Sequence, residues 1–370
     1  MSVILADRRR FRAPILLLAL TLLTAAAACG DDDSTSSGDG GGGGGPKIAL
    51  LLPETKTARY ETQDRPLFEA KVKELCDACE VLYFNADQDA AKQQSQIESA
   101  LTQGADVLAL DAVDAEAVAP MVNQAKDKEI PVIAYDRLIT GIEYEYYVSF
   151  DNVKVGEMQG QALLDAMDAN GNAETGQIVM INGAPTDPSS GDYKKGAHNV
   201  LDGQVEIGRE YDTPDWSPDQ AQDQMEQAIT ALGRDTIVGV LSANDGMAGG
   251  AITAMKRAGY ETLPPITGQD AELAGVQRIL AGEQTMTIYL DIRAQAEKSA
   301  ELAVALANGD KPDAPTTVDN GTAEIPTFLL DPIAVTKDKI ADTIVQDGFY
   351  TVDEICADDF AALCEEAGIQ

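Results

Sequence analysis

The sequence predicts an α/β protein built from two successive doubly wound parallel sheets. The run from Lys47 to Leu52 is apolar without alternation and ends at Pro53, which is typical of a strand buried on both faces. Segments with helical spacing alternate with such runs, and the same alternation begins again after Asn152. Buried strands that alternate with helices favour parallel sheets covered on both faces, and 370 residues are enough for two domains.

The predicted elements follow one another in chain order. In the first helix the apolar side chains of Leu67, Phe68, Val72 and Leu75 have helical spacing, and the polar-faced second helix ends at Gly104. The predicted strands are residues 47–52, 80–85, 106–111, 131–135, 177–181, 205–211, 236–242, 265–268 and 285–290. The predicted helices are residues 66–75, 90–103, 115–128, 152–169, 191–201, 218–232, 246–258 and 271–280.

Polar side chains collect where the predicted strands end. They are Arg59, Tyr60, Asp64 and Arg65 after the first strand, Asp136 and Arg137 after the fourth, Asp151 and Asn152 at the junction of the halves, and Asp187, Asp215, Trp216, Asn244, Asp245, Gln269 and Asp270 in the second half. In doubly wound sheets ligands bind at the carboxyl ends of the strands. Carboxylates, amides and guanidinium groups beside an aromatic ring suit a sugar. Each Asp or Asn alone is also typical of a helix N-cap, and Asp245 is the strongest candidate for that role.

The first residues resemble an export signal. Four arginines between residues 8 and 12 precede an apolar run over 13–28, which is short for a transmembrane helix. Small residues directly before Cys29 resemble the processing site of bacterial lipoproteins. We therefore expect a lipoprotein signal peptide over 1–28, lipidation of Cys29 and a Gly/Asp/Ser tether over 29–46, with an ordinary cleaved signal peptide as the alternative.

Composition excludes several classes of function. The chain has 27 Lys and Arg against 62 Asp and Glu, a formal charge of −35 and a single His. Nucleic acid and polyphosphate partners need dense positive charge, so they are not expected. One His disfavours His-based metal sites and Ser-His or Cys-His catalysis, and no cofactor or metal is expected.

Four further cysteines lie in two local pairs, Cys76 with Cys79 and Cys356 with Cys364. An even number of cysteines in an exported protein favours disulfides, whose connectivity the sequence leaves open. The C-x-x-C spacing of the first pair is also compatible with a redox motif or half a zinc site. A second C-x-x-C is missing, and structural disulfides are the preferred interpretation.

Several segments together resemble the type I periplasmic sugar-binding proteins of ABC importers, and most closely the D-xylose-binding members. The matching segments are residues 58–60, 64–65, 134–137, 149–157, 244–252, 268–275, 282–289, 320–321 and Pro326. They cover the chain in order from about Lys47 to Tyr350. The combination is specific to the family and less specific to one sugar.

This resemblance implies a Venus-flytrap fold of two doubly wound lobes joined by a three-strand hinge. The three crossings are expected near Phe150, Tyr289 and Pro326. The implied domains are lobe one over 47–150 and 290–325, lobe two over 151–289 and 326–350, and a C-terminal extension over 351–370.

The resemblance also implies the sugar site. Its residues would be Arg59, Tyr60, Asp136, Arg137, Asp187, Trp216, Asn244 and Asp270. Arg137 would donate to adjacent hydroxyls, Asp136 and Asp270 would accept, and Trp216 would supply the stacking face.

Three positions depart from the pattern of the D-xylose binders. Leu290 replaces a Lys, Tyr60 replaces a Trp, and Pro188 replaces an amide. D-xylose is the first expectation for the ligand, and glucose, another aldose or a small polyol are the alternatives.

The expected function is that of a monomeric substrate-binding lipoprotein, which presents its closed form to an ABC permease and the ATPase of that permease. It would meet the membrane only through its lipid, on the outer face. A sugar-sensing receptor for chemotaxis or signalling is one alternative. The other is a glycoside hydrolase that uses Asp136 and Asp270 as an acid/base pair.

Overall fold

The strands and helices alternate along the chain as the sequence predicts, in a computed structural model that describes residues 45–172 and 175–369. The strands are β1 (Lys47–Leu52), β2 (Glu80–Asn85), β3 (Val107–Leu110), β4 (Val132–Tyr135), β5 (Tyr146–Phe150), β6 (Gln177–Asn182), β7 (Glu206–Asp212), β8 (Ile237–Ser242), β9 (Thr287–Tyr289), β10 (Thr316–Asp319), β11 (Glu324–Leu330) and β12 (Ile333–Val335). The α-helices are α1 (Arg65–Leu75), α2 (Ala90–Thr102), α3 (Ala119–Asp127), α4 (Asn152–Ala169), α5 (Pro188–Leu201), α6 (Pro218–Leu232), α7 (Asp245–Arg257), α8 (Leu273–Leu280), α9 (Ile292–Ala307), α10 (Val352–Ile355) and α11 (Ala361–Ala367).

The predicted signal peptide, the predicted lipidation site Cys29 and all but the last two residues of the predicted tether lie outside the described residues. None of the helices that the structure describes is both long and apolar enough to cross a membrane.

A seven-stranded sheet with the order β10-β11-β5-β4-β3-β1-β2 forms what we call the first lobe, together with α1, α2, α3 and α9. Every pair is parallel except β10 with β11. Phe68 of α1 and Ala300 of α9 pack on one face of the sheet, and Ile97 of α2 and Val122 of α3 pack on the other. Burial on both faces explains why β1 is apolar without alternation.

The second lobe contains the parallel strands β7-β6-β8 between two pairs of helices. Leu163 of α4 and Leu201 of α5 are buried on one face, and Met225 of α6 and Met255 of α7 on the other. Beyond β8 the pairing continues through single bridges, and an antiparallel pair of β9 and β12 follows.

The predicted strand over 265–268 is reduced to one bridge, between Val240 and Ile266. Pro264 and Pro265 lack the amide hydrogens that a longer ladder would use. Three helix starts differ from the prediction by two residues or more, and one of them is that of α8, which begins at Leu273 rather than 271. Pro120 lies in the first turn of α3, which begins at Ala119 rather than 115, and Pro188 lies in the first turn of α5.

The chain passes between the lobes three times, after β5, after β9 and after β11. Residues Thr327–Leu330 of β11 pair with β5 in the sheet of the first lobe. The third crossing therefore follows Leu330, and not Pro326 as expected. Pro326 is instead paired with Thr317 of the edge strand β10, one residue before β11 begins to pair with β5.

Two disulfides join Cys76 to Cys79 and Cys356 to Cys364, which confirms the prediction of local structural bridges. The first links the end of α1 to the segment before β2. The second ties α10 to α11 in the C-terminal segment, whose buried Ile355 belongs to the core of the second lobe.

Candidate functional site

A small cavity lies between the lobes, at the carboxyl ends of both sets of parallel strands. Its volume is about 20 Å³, because the lining side chains of the two lobes nearly meet across it. The lining residues are Thr57, Arg59, Tyr60, Asp136 and Arg137 from the first lobe, and Asp187, Ser189, Tyr193, Trp216, Asn244, Gln269 and Asp270 from the second. All eight residues predicted for the sugar site are among them. Seven of the eight follow a strand, and Asp270 follows the bridged segment at Ile266. Parallel strands place such positions together, because their carboxyl ends lie at one edge of the sheet.

Arg59 is buried and contacts three carboxylates. Its Nε lies 3.1 Å from Oδ2 of Asp64, and its Nη2 lies 3.0 Å from Oδ1 of Asp136, both in the first lobe. Its Nη1 lies 3.6 Å from Oδ1 of Asp270 in the second lobe. The hydroxyl of Tyr135 donates a hydrogen bond to the carboxylate of Asp64. Arg59 therefore bridges the cleft while remaining fastened to its own lobe.

Arg137, on the other side of the cavity, also contacts carboxylates of both lobes. Its Nε lies 3.1 Å from Oδ2 of Asp187 in the second lobe and 3.4 Å from Oδ1 of Asp111 in the first. Its Nη1 donates to the carbonyl oxygen of Ala112 at 3.1 Å. Asp111 directly follows β3 but is not among the predicted site residues, because the predicted strand extends to residue 111.

Tyr60 lies between the two arginines. Its hydroxyl donates to Oδ2 of Asp136 at 3.1 Å and accepts from Nη2 of Arg137 at 3.4 Å, and the guanidinium of Arg59 lies 5.0 Å from its ring centre. Burial raises the pKa of Tyr60 well above its ordinary value. The phenol is therefore neutral and available as both donor and acceptor.

The carboxylates of the cavity have different proton affinities. Burial opposes ionisation of Asp136, but the charges of Arg59 and Arg137 and a hydrogen bond from Gln295 together outweigh burial and lower the pKa of Asp136. Burial raises the pKa of Asp270 to about 7, because Arg59 is farther from this group and Asp245 adds negative charge. Burial also raises the pKa of Asp187, against the charge of Arg137. Asp136 is therefore an acceptor, while Asp270 exchanges its proton near neutral pH.

Trp216 forms an aromatic wall of the cavity. Asp215 and Trp216 adopt left-handed backbone, with φ of 59° and 52°. The indole packs on Gly183, where a Cβ atom would fall 2.0 Å from a ring carbon, and Tyr193 meets it edge-on with ring centres 6.3 Å apart. Its Nε1 is buried and has no hydrogen-bond partner in the described chain. Gly183 is therefore required for this position of the ring.

Asn244, and not Asp245, caps α7, since its Oδ1 accepts from the backbone N of Met247 at 2.9 Å. The carboxylate of Asp245 accepts from Gln284, from Thr287 and from the backbone N of Glu272, at 2.6–2.9 Å. The expectation that Asp245 is the cap is wrong, because Asn244 occupies the N-cap position and Asp245 is the first residue of the helix. Asp245 instead fixes the loop that carries Asp270.

Four lining residues were not among the predicted site residues. Thr57 precedes Arg59, and Gln269 precedes Asp270. Ser189 and Tyr193 lie four residues apart, and so on one face, at the start of α5, the helix that Asp187 caps. Leu290, a departure from the expected pattern, is buried in the core of the second lobe and does not line the cavity.

Within residues 45–172 and 175–369, no group of three or more His, Cys, Asp or Glu side chains is arranged to hold a metal ion. The ionisable groups of the cavity pair with one another, both within the first lobe and across the cleft.

Comparisons with known proteins agree with this architecture. Residues 48–311 match the family described as periplasmic binding protein domain. The chain is 37% identical over 314 residues to the D-xylose-binding periplasmic protein of Escherichia coli (strain K12), covering 84% of this chain and 92% of that protein. It is 34% identical over 288 residues to the multiple sugar-binding periplasmic receptor ChvE of Rhizobium radiobacter, covering 73% and 81%.

Among solved structures, an ABC transporter solute-binding protein from Clostridium phytofermentans with bound β-D-glucose has a TM-score of 0.78 and 29% identity. The similarity covers 84% of this chain and 99% of that one. These relatives are binding proteins and not enzymes. The chain belongs to the periplasmic binding protein family.

Proposed function

We propose that this protein binds a monosaccharide in the cleft between its lobes and serves as the extracytoplasmic binding component of an ABC sugar importer. The observation that carries the proposal is the lining of the cavity. Charged donors, carboxylate acceptors and an aromatic wall converge there from both lobes. A sugar needs this combination, because its hydroxyls require paired polar partners and its C–H face packs on a ring.

The cavity also offers unpaired polar groups. Nε1 of Trp216 is a donor without an acceptor, and Oε1 of Gln269 is an acceptor without a donor within the described residues. Buried polar atoms without partners are costly, so a ligand that satisfies them gains affinity. A ligand hydroxyl can do both, because it donates and accepts.

The roles of the predicted residues follow from their chemistry. Arg59 and Arg137 would donate to hydroxyls, Asp136, Asp187 and Asp270 would accept, and Tyr60 and Asn244 would complete the polar wall. Trp216 would stack on the apolar face of the ring.

D-xylose is the first candidate for the ligand. Two relatives at 37% and 36% identity, each covering 84% of this chain, are named D-xylose-binding periplasmic proteins. Glucose is the second candidate, because a structure at 29% identity holds β-D-glucose. The lining is polar on all sides except at Trp216 and Tyr193, and this suits either sugar.

Closure of the lobes would couple binding to transport. The sugar contacts both lobes only when they are close, so it shifts the population toward the closed form by its differential affinity. The closed monomer would then dock on a membrane permease, which works with its ATPase. A role as a sugar receptor in signalling shares this site and is supported by the name of the relative from Rhizobium radiobacter.

Calorimetric titration of the purified protein with D-xylose, D-glucose, L-arabinose and D-ribose tests the proposed function. We expect one-to-one binding of D-xylose that is tighter than that of the other three sugars. Tighter binding of another sugar would change the proposed ligand and leave the proposed class, a sugar-binding protein, unchanged. Binding of none of the four would contradict the proposal.

We further propose that the lipidated Cys29 holds the protein at the outer face of the cytoplasmic membrane. The apolar run before Cys29 and the glycine-rich tract after it support this proposal. Replacing Cys29→Ala should move the exported protein from the membrane fraction to the soluble fraction. An unchanged membrane fraction would contradict a lipid anchor at this residue.

A further inference from the structure

Asp111 is a buried carboxylate that does not line the cavity. Its side chain is 0% exposed, and neither carboxylate oxygen meets a hydrogen-bond donor in the described part of the chain. The cation of Arg137 is its charged neighbour, with Nε 3.4 Å from Oδ1. A buried carboxylate without donors is costly, so its position calls for a compensating role.

Arg137 has partners on both lobes, and only those on its own lobe remain beside it when the lobes separate. Asp187 belongs to the second lobe, while Asp111 and the carbonyl oxygen of Ala112 belong to the first lobe, as Arg137 does. If the lobes separate, Asp187 leaves with the second lobe. Asp111 is then the carboxylate that stays beside the guanidinium.

We propose that Asp111 is a positioning residue that holds the guanidinium of Arg137 toward the cleft whether the lobes are open or closed. This inference rests on the proposed sugar-binding function. A held guanidinium keeps its donors directed at the sugar, so less side-chain freedom is lost on binding. Arg59 has an equivalent device, because Asp64 of the same lobe contacts its Nε and Nη2 at 3.1 and 3.2 Å.

A double-mutant cycle tests the proposal. Asp111→Asn keeps the shape and removes the carboxyl group, and Arg137→Lys keeps a cation and removes the Nε group that lies 3.4 Å from Oδ1 of Asp111. Each single variant should weaken D-xylose binding about tenfold, because a charge-assisted contact is lost. In the Arg137→Lys background, Asp111→Asn should weaken binding less than about threefold further. Additive losses would show that Asp111 acts independently of Arg137 and would overturn the proposal.

The matched control is Asp106→Asn, at the opposite end of the same strand, where the carboxylate accepts from the backbone N of Lys47 at 2.7 Å on the surface. It should leave the D-xylose affinity within about twofold of the wild type. An effect as large as that of Asp111→Asn would mean that loss of any carboxylate beside β3 weakens binding, and would overturn the proposal.

Thermal unfolding without sugar separates this inference from the proposed function. Arg137→Ala leaves Asp111 buried without a cation, so the melting temperature should fall, and adding Asp111→Asn should recover part of that fall. Absence of recovery would overturn the proposal, even if the wild type binds sugar. If the wild type binds none of the four sugars, the proposed function fails, and recovery in the unfolding cycle would still support the pairing of Asp111 with Arg137.

Discussion

The two lobes bring different chemistry to the same cavity. The first lobe supplies both cations, Arg59 and Arg137, and the second supplies the carboxylates that face them, Asp270 and Asp187. The second lobe also supplies the aromatic wall at Trp216. This division places a guanidinium opposite a carboxylate at two points of the cleft, while Asp64, Asp111 and Asp136 balance the two cations within the first lobe. The two pairs across the cleft favour closure of the lobes, and they involve residues that we propose bind the ligand.

The same comparison separates two carboxylates that share one arginine. Asp136 lies on the same lobe as Arg59 at 3.0 Å, and its pKa is lowered. Asp270 lies across the cleft at 3.6 Å, and its pKa is raised to about 7. The contact within the first lobe keeps Asp136 ionised. The contact across the cleft changes near neutral pH, because Asp270 gains or loses its proton there.

Removing a cation of the first lobe should have the largest effect. Arg137→Ala should weaken sugar binding about 100-fold or more, because it deletes donors and leaves Asp111 and Asp187 without their cation. Calorimetry measures this loss. Arg293→Ala is the control, since Arg293 is half-exposed and pairs with Glu297 on the surface. Equal affinity in Arg137→Ala and the wild type would place the binding site elsewhere.

Loss of the aromatic wall of the second lobe should have the next largest effect on sugar affinity. Trp216→Ala should weaken binding about tenfold or more, through loss of stacking area. Gly183→Ala should have a similar effect without touching the sugar, because its methyl group occupies the space of the indole. Titration calorimetry of both variants checks this.

Gly191→Ala is the matched control for Gly183→Ala, since a Cβ atom there meets nothing within 4 Å. It should leave the affinity unchanged and slightly stabilise α5. Retained wild-type affinity in Gly183→Ala would contradict the proposed role of the indole.

The carboxylates should differ in their response to pH. Asp270→Asn should cost little affinity at pH 5.5, where Asp270 is protonated and resembles an amide, and more at pH 8.5, where it is ionised beside Arg59. Asp136→Asn should cost about tenfold at both pH values, because the pKa of Asp136 is lowered. Calorimetry at the two pH values measures the difference. Equal pH dependence of binding in the two variants would contradict the difference in pKa between Asp136 and Asp270.

The smallest effect should come from Glu272, whose Oε1 accepts from the backbone N of Ala58 across the cleft at 3.1 Å. Burial raises its pKa from 4.5 to about 8. Between these values the folded protein holds a proton that the unfolded chain has released, so this part of the stability is lost as pH rises toward 8. Glu272→Gln should therefore reduce the fall in melting temperature between pH 5.5 and pH 8.5.

The control for that prediction is Glu261→Gln, a change at an exposed position of the second lobe. Its melting curves should follow those of the wild type at each pH. The same slope in Glu272→Gln and the wild type would show that Glu272 keeps no proton in the folded state.

Much of the site was predictable, because parallel strands place their ends together and the polar residues at those ends are visible in the sequence. Asp111 was not predicted because the predicted strand, residues 106–111, includes it as its last residue, and its partner Arg137 is 26 positions away in the chain. Asp245 was misassigned because local spacing cannot tell a cap from a carboxylate bonded to Gln284 and Thr287, which lie far along the chain.

The fold shows the same limit. Buried strands such as β1 were predicted within a residue, because their apolar runs are local signals. The edge of the first sheet was not, since β10 and β11 are partly exposed and are defined by partners far along the chain. Pro326 suggested a break, and only the pairing of Thr327–Leu330 with β5 shows that the sheet continues there.

The chain contains a single tryptophan, Trp216, and it lines the cavity. Its emission therefore reports on the proposed site without a label. Titration of the purified protein with D-xylose, followed by Trp216 emission and in parallel by calorimetry, tests the central claim most directly. The account predicts a saturable change in emission with the dissociation constant found by calorimetry. Calorimetric binding with unchanged emission would contradict it, because the sugar would then bind away from the cleft.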